Sequence, residues 1–520
     1  MLEIWQHLLF GLQIALEPRH LALAFLGALL GTVVGVLPGI GPVGGIALLL
    51  PVAFTLGPTG AMIMLTALYY GTMYGGSITS ILMNVPGEAS SVVTAFDGYA
   101  MAQQGRAGPA LAVAAVASFI AGTLSIVTLT LFSPPLAGWA VRFGPPEYFA
   151  LMVFGLSAVS SLAGESLVKA LIAMGLGLML ATVGTDLVTG VPRYTFNVPY
   201  LLDGVDFVIA VIGLFAVSEV LVAVEELAGE VRPRVAVQRV WLSVRDLAES
   251  WWAILRGTVV GFYIGILPAA GATIASFLAY SLEKQVARDP HRFGRGDIRG
   301  VAAPEAANNA AAVGNMVPML TLGIPGSSTT ALMLGALLVL NVIPGPRLFQ
   351  RHPDVIWGLV ASMYVSNLML LVLNLPLVGL FVRILDIPPR VLLPVILAVA
   401  LVGTYAVNSS AFDLLTTAVL GLLAYYLRRN GYPLGPAVLG LVLGDLMEQN
   451  LRRSLIMSDG SLAIFVTRPV TAAFLLLSAL SLAAPALVRG WRRFRTADVA
   501  DPPGEDRPAG ARPRRGRLRV

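Results

Sequence analysis

The side chains best placed to do chemistry in this sequence are small hydroxyl and amide groups beside Pro-Gly pairs. Ser77, Thr79, Ser80 and Asn84 lead into Val85-Pro86-Gly87-Glu88, and Ser327, Ser328, Thr329 and Thr330 follow Pro325-Gly326. Two further breaks interrupt apolar stretches, at Leu37-Pro38-Gly39-Ile40-Gly41 and Leu267-Pro268-Ala269-Ala270-Gly271. A break frees backbone N–H and C=O groups, which a bilayer tolerates only where they line a cavity or meet protein. Helix N-termini at such a break present N–H donors and partial positive charge, a cradle for a carboxylate. Nearby hydroxyls add hydrogen bonds, and unwound carbonyls can coordinate Na⁺. The candidate substrate or ion-binding set is therefore Pro38, Gly39, Gly41, Ser77, Thr79, Asn84, Gly87, Pro268, Gly271, Pro325, Gly326, Ser327, Ser328 and Thr329. Asn309, near Asn308 and Asn315 at the start of the last broken stretch, joins them.

Ionisable residues in or near apolar spans take a functional reading by default. Glu88, directly after the first Pro-Gly, and Glu305, opening the second broken span, are the candidates for coupling or gating. Asp97, Asp186, Glu219, Asp413, Asp445 and Glu448 are further acids of this kind, and Lys169 with Glu165 reads as a structural i,i+4 ion pair.

Composition removes most alternatives. The 520 residues are 57% hydrophobic and 12% charged, about half the charge of a soluble domain. The long apolar runs approach the length of bilayer spans, so the chain reads as an all-α polytopic membrane protein. It has no cysteine, and its four histidines form no ligand pair. Disulfides, thiolate metal sites and Cys nucleophiles are thereby excluded, and no resident metal or cofactor is expected. Neither of the two lysines sits in a P-loop; energy for transport would come from an ion gradient or another subunit. An intramembrane protease lacks its GxGD or GxSG signature, since the nearest match reads Val442-Leu-Gly-Asp445. The chain is read as no enzyme, with a channel or passive scaffold as the alternative to a transporter. Ten Arg and four acids from Arg489 to Val520 concentrate the net charge of +5 in the tail. A basic tail after a span is expected in the cytoplasm, and no nucleic-acid partner is expected.

The elements that must position these residues come in two copies. Gly27, Gly31, Gly35 and Gly39 lead to the first break, and Gly257, Gly261 and Gly265 lead to its counterpart 230 residues later. The two Pro-Gly breaks lie 239 residues apart, and Pro145-Pro146 and Pro388-Pro389 continue the series at 243. Landmarks in one order with slowly drifting offset indicate duplication. Basic residues flank 253–282 on both sides, so that stretch should enter and leave on the same face as a re-entrant hairpin. Five crossings separate the first hairpin from the connector (about 61–103, 109–132, 147–163, 166–185 and 205–226). An odd number predicts two inverted-topology repeats, each with a re-entrant hairpin and a broken transmembrane helix. The expected organisation is an interfacial helix or short span, not a cleaved signal, at 1–20; a first repeat at 21–226; a cytoplasmic connector at 227–252; an inverted second repeat at 253–450; a final span region at 451–489; and a basic cytoplasmic tail at 490–520.

The motifs carry a resemblance. Gly31-Thr-Val-Val-Gly-Val-Leu-Pro-Gly-Ile-Gly41 and Tyr69-Tyr-Gly-Thr-Met-Tyr-Gly-Gly-Ser-Ile-Thr-Ser-Ile-Leu-Met-Asn-Val-Pro-Gly-Glu88 resemble the large membrane subunit of tripartite tricarboxylate transporters. Asp97-Gly-Tyr, Gly105-Arg-Ala-Gly-Pro109, Gly144-Pro-Pro-Glu-Tyr148 and Leu322-Gly-Ile-Pro-Gly-Ser327 complete the pattern over about residues 20–470. The resemblance implies an elevator-type permease in a bacterial inner membrane, taking up di- and tricarboxylates or related organic anions by symport with Na⁺ or H⁺. It also implies two partners, a small membrane subunit and a periplasmic solute-binding protein. The matching site positions are the Pro38-Gly39-Gly41 tip, the Ser77 to Gly87 break and Pro325 to Thr329.

Overall fold

A computed structural model describes residues 2–37, 39–157, 166–186, 189–226, 240–268 and 271–497. Helices account for 81% of the chain, and a two-residue strand pair, Gly184–Thr185 with Pro192–Arg193, is a minor ornament. Among the described residues, six helices are long and apolar enough to cross a membrane, including Pro18–Val36, Phe207–Glu225 and Pro353–Asn374. This is a multi-pass, all-α membrane protein.

The glycine rows explain how its centre is packed. Pro18–Val36 lies along Gly57–Met83, with Gly27, Gly31 and Gly35 directly over the carbonyls of Met64, Leu68 and Thr72. A Cβ at Gly31 would stand 2.3 Å from the Leu68 oxygen, so any side chain would force the helices apart. The same arrangement recurs between Val244–Ile266 and Arg299–Gly314, where Gly257, Gly261 and Gly265 cover the carbonyls of Ala303, Ala307 and Ala311. Small-residue faces of this kind are how helices approach closely in lipid, where burial of apolar surface drives nothing. Gly39 is the exception in its row: the helix ends at Val36, and Gly39 sits in the turn with φ +94, beside Glu219.

Each of these helices is one arm of a hairpin. The first pairs Pro18–Val36 with Gly41–Phe54; the second pairs Val244–Ile266 with Gly271–Val286. The second hairpin's leading arm starts within the stretch read as connector, because Ser243 caps it by accepting from the Asp246 N–H. Its apolar part starts after Arg256, whose Nε and Nη2 each donate to Glu283 at 2.8 Å on the returning arm. Only Gly257–Ile266, ~15 Å of helix, lies between that ion pair and the tip.

The two broken helices form the buried centre. Every residue of Gly60–Leu82 is buried, as is every residue of Gly300–Gly314. Asp97 locks the chain entering the second of them: it accepts from the N–H groups of Gly294, Gly296 and Asp297 and from the Tyr280 hydroxyl, all within 3.0 Å. Its reading as a functional acid thus gives way to a structural one. Around the centre, Arg390–Asn408 and Ala411–Arg429 expose Val391, Val395, Val399, Leu415, Val419 and Leu422, as a lipid-facing layer would. Leu2–Ala15 is a packed helix whose Gly11 lies against the Trp357 carbonyl and whose His7 ring stacks on the Trp357 ring. Glu165, the expected partner of Lys169, lies outside the described residues, as do the connector arginines Arg232, Arg234 and Arg239. Lys169 donates to the Asn430 carbonyl at 2.6 Å.

Candidate functional site

The two Pro-Gly breaks begin and end in matching backbone conformations. Each broken helix ends on a left-handed residue, Asn84 (φ 55, ψ 33) or Gly323 (φ 72, ψ 25). Four residues on, an extended residue caps the next turn: Glu88 (φ −149, ψ 166) or Ser327 (φ −155, ψ 170). Both caps form reciprocal boxes. Ser90 N–H donates to Glu88 at 3.1 Å while Glu88 N–H donates to Ser91 Oγ, and Thr330 N–H donates to Ser327 Oγ while Ser327 N–H donates to Thr330 Oγ1. The intervening glycines are sterically required. A Cβ on Gly87 would lie 2.1 Å from the Gly35 carbonyl oxygen, and one on Gly326 would lie 2.8 Å from Asn315 Cα. The hairpin turns match likewise: Leu37 and Leu267 are both extended, and Gly41 (φ +59) and Gly271 (φ +67) both open the returning arm.

These four turns converge. One cavity of about 470 Å³ is lined by the first tip (Gly39 to Val43), the second tip (Gly271 to Thr273), the first break (Pro86 to Ala89) and Ser327 to Thr329 of the second. Tyr69 and Met73 complete its wall. Its size suits a small-molecule ligand. Three helix N-termini open onto it, those of Gly41–Phe54, Gly271–Val286 and Ser328–Val339, together with the turn Ala89–Ser91. Their N–H groups and aligned dipoles favour a negative charge. Glu88 brings one acid to this otherwise donor-rich wall, held by its own cap and by the Ser90 hydroxyl.

The candidates therefore divide into groups. Gly39, Gly41, Gly87, Glu88, Gly271, Ser327, Ser328 and Thr329 line the cavity. Pro268 is half-buried at its tip outside the lining, Pro325 and Gly326 are buried behind the second break, and Pro38 lies outside the described residues. Thr79 is buried inside its helix against Gly87, and Asn84 is exposed as a helix C-cap. Ser77, Asn309 and Glu305 belong to a separate buried cluster. Glu305 Oε2 accepts from Ser77 Oγ at 2.6 Å and its Oε1 from Thr94 Oγ1, while Asn309 Nδ2 donates to Ser118 Oγ at 2.7 Å. Tyr69 opens the Tyr69–Glu88 motif, and nothing in its residue type marks it as a site residue. Its hydroxyl accepts from Asn315 Nδ2 at 3.1 Å, joining the two broken helices at the cavity wall.

Comparison with known proteins identifies the family. The chain is 47% identical over 478 residues to a 52.8 kDa protein in the TAR-I ttuC' 3'region of Agrobacterium vitis, covering 91% of this chain and 95% of that one. It is 46% identical over 215 residues to a protein in the TAR-II ttuC' 3'region of the same organism, covering 41% of this chain and 89% of that one. No solved structure matches. The family model described as tripartite tricarboxylate transporter TctA family matches residues 21–439. The chain belongs to the tripartite tricarboxylate transporter TctA family and is a membrane component of such a transporter.

Proposed function

We propose that this chain is the permease of a secondary active importer of organic anions, di- or tricarboxylates or related carboxylates. A periplasmic solute-binding protein hands the anion over, a small membrane subunit assists, and a Na⁺ or H⁺ gradient drives uptake across the inner membrane. The observation that carries this reading is the convergence of two hairpin tips and two broken helices on one cavity rich in helix N-termini. A carboxylate there meets backbone donors preorganised by the glycine turns, and Ser327, Ser328, Thr329 and Tyr69 bring hydroxyls to the wall. Backbone recognition accepts any carboxylate of fitting size, which leaves selection among anions to the binding protein.

The matched turns support an inverted pair of repeats, with the hairpins and broken helices moving against the lipid-facing helices as an elevator and the C-terminus in the cytoplasm. The short apolar reach of the second hairpin beyond Arg256 supports re-entrance, since ~15 Å covers half a hydrocarbon core. Proteoliposomes holding this chain and its small subunit should accumulate labelled carboxylate only with loaded binding protein outside and an imposed cation gradient. Uptake that ignores the gradient would refute the reading, and single-channel currents would point to a channel.

A further inference from the structure

Glu305 stands in the middle of the molecule, fully buried, where the first broken helix, Val92–Met101, Ala107–Ala140 and the second broken helix meet. Its carboxylate is surrounded by neutral groups: Ser77 and Thr94 donate to it, and Ser118 Oγ and Asn308 Nδ2 approach Oε2 at 3.5 Å. Among the described residues no Lys, Arg or His pairs with it. An ionised carboxylate in such a place costs several kcal/mol unless a positive charge joins it. Beside it is a cavity of about 10 Å³, room for one water-sized species, whose polar wall is Tyr74, Ser77, Ser118, Glu305 and Asn374. Asn374 is 3% exposed, and its Oδ1 has no hydrogen-bond partner although its Nδ2 donates to the Leu370 carbonyl and to Thr32. A buried acceptor without a donor, on a residue that lines the same one-ion space as a buried carboxylate, marks a position for positive charge.

We propose that this cavity is a Na⁺ site, with Glu305 as its charged ligand and Ser77, Ser118 and Asn374 among its neutral oxygen ligands. One carboxylate balances one unit of charge, which selects a monovalent ion. The all-oxygen set is hard, and the small space admits an ion stripped of its water shell. Ser77 lies one helical turn from Met73, which lines the central cavity, so an ion here ties the two broken helices together next to the anion site. The proposal deepens the permease reading and rests on it for the ion's role in coupling, but not for its binding.

The test measures binding without transport. The purified full chain in detergent is titrated with NaCl at constant ionic strength against choline chloride and KCl, following Tm, and ²²Na⁺ binding is measured by scintillation proximity. Saturable binding and a rise in Tm specific to Na⁺ are expected, abolished by Glu305→Gln and weakened about tenfold by Ser118→Ala. Should Glu305→Gln fail to fold, Ser118→Ala and the wild-type ²²Na⁺ signal carry the test. No saturable ²²Na⁺ binding, an equal response to K⁺, or full binding in Glu305→Gln would overturn the proposal. Carboxylate uptake driven by a proton gradient without Na⁺ binding sinks the Na⁺ site and leaves the permease; Na⁺ binding without any uptake sinks the permease and leaves the site.

Discussion

At the scale of single residues, Glu88 and Ser327 show how one backbone conformation carries different chemistry. Both cap the turn after a Pro-Gly break with nearly the same φ and ψ, yet one brings a carboxylate to the cavity and the other a hydroxyl. A carboxylate on the wall repels a bound anion. Glu88→Gln keeps a capping side chain and removes the charge, so carboxylate binding to the purified chain should tighten by about tenfold, measured by calorimetry. An unchanged affinity would remove Glu88 from the electrostatics of the cavity. The hydroxyl and Pro-Gly pattern pointed to this wall, since a break inside an apolar run has few other uses. Ser77 and Glu305 are 228 residues apart, and nothing local in either segment indicates that they share a hydrogen bond.

At the scale of elements, close helix contact decides what each glycine does. Gly175 and Gly177 lie two residues apart in Leu167–Ala181. A Cβ on Gly175 meets nothing, whereas one on Gly177 would lie 1.9 Å from the Ala437 carbonyl oxygen. Gly175→Ala should raise stability by about 0.5–1 kcal/mol through helix propensity, and Gly177→Ala should lower it by about 1–3 kcal/mol through overpacking. Thermal unfolding in detergent compares the two, and similar values would mean that the helix pair is misplaced. The loop before the second broken helix adds a pH term. Burial of Asp297 opposes its ionisation, but hydrogen bonds from Arg299 and the nearby Arg292 outweigh this and hold its carboxyl below the usual range. With the folded value depressed, its stabilisation is present above the ordinary Asp pKa of about 4 and is lost as pH falls through the folded value. The acid limb of a Tm–pH profile should therefore flatten in Asp297→Asn.

At the scale of the whole molecule, the absence of cysteine makes proximity testable. A Cβ at Gly41 would lie 4.0 Å from Glu88 Cβ, within disulfide range. The double variant Gly41→Cys with Glu88→Cys should cross-link on oxidation, detected by peptide mass spectrometry, and reduction should raise uptake above that of the oxidised form. Failure to cross-link would mean that the first hairpin tip does not rest on the first break.

Much of this architecture was legible in the chain. Low charge and long apolar runs require a bilayer, Pro and Gly interrupt helices wherever they stand, and glycine at every fourth residue requires a close neighbour. Such properties are local, and a repeated local pattern can be read directly. The neighbour itself was not legible: that Gly31 faces Leu68, that Gly39 leaves its row to sit beside Glu219, that Asp97 caps a loop two hundred residues away. Tertiary structure also decided which hydroxyls reach the cavity and which turn to Glu305. Along a helix inside a protein every face is buried, so residue type no longer reveals direction, and only the packing of distant segments assigns each side chain its partner.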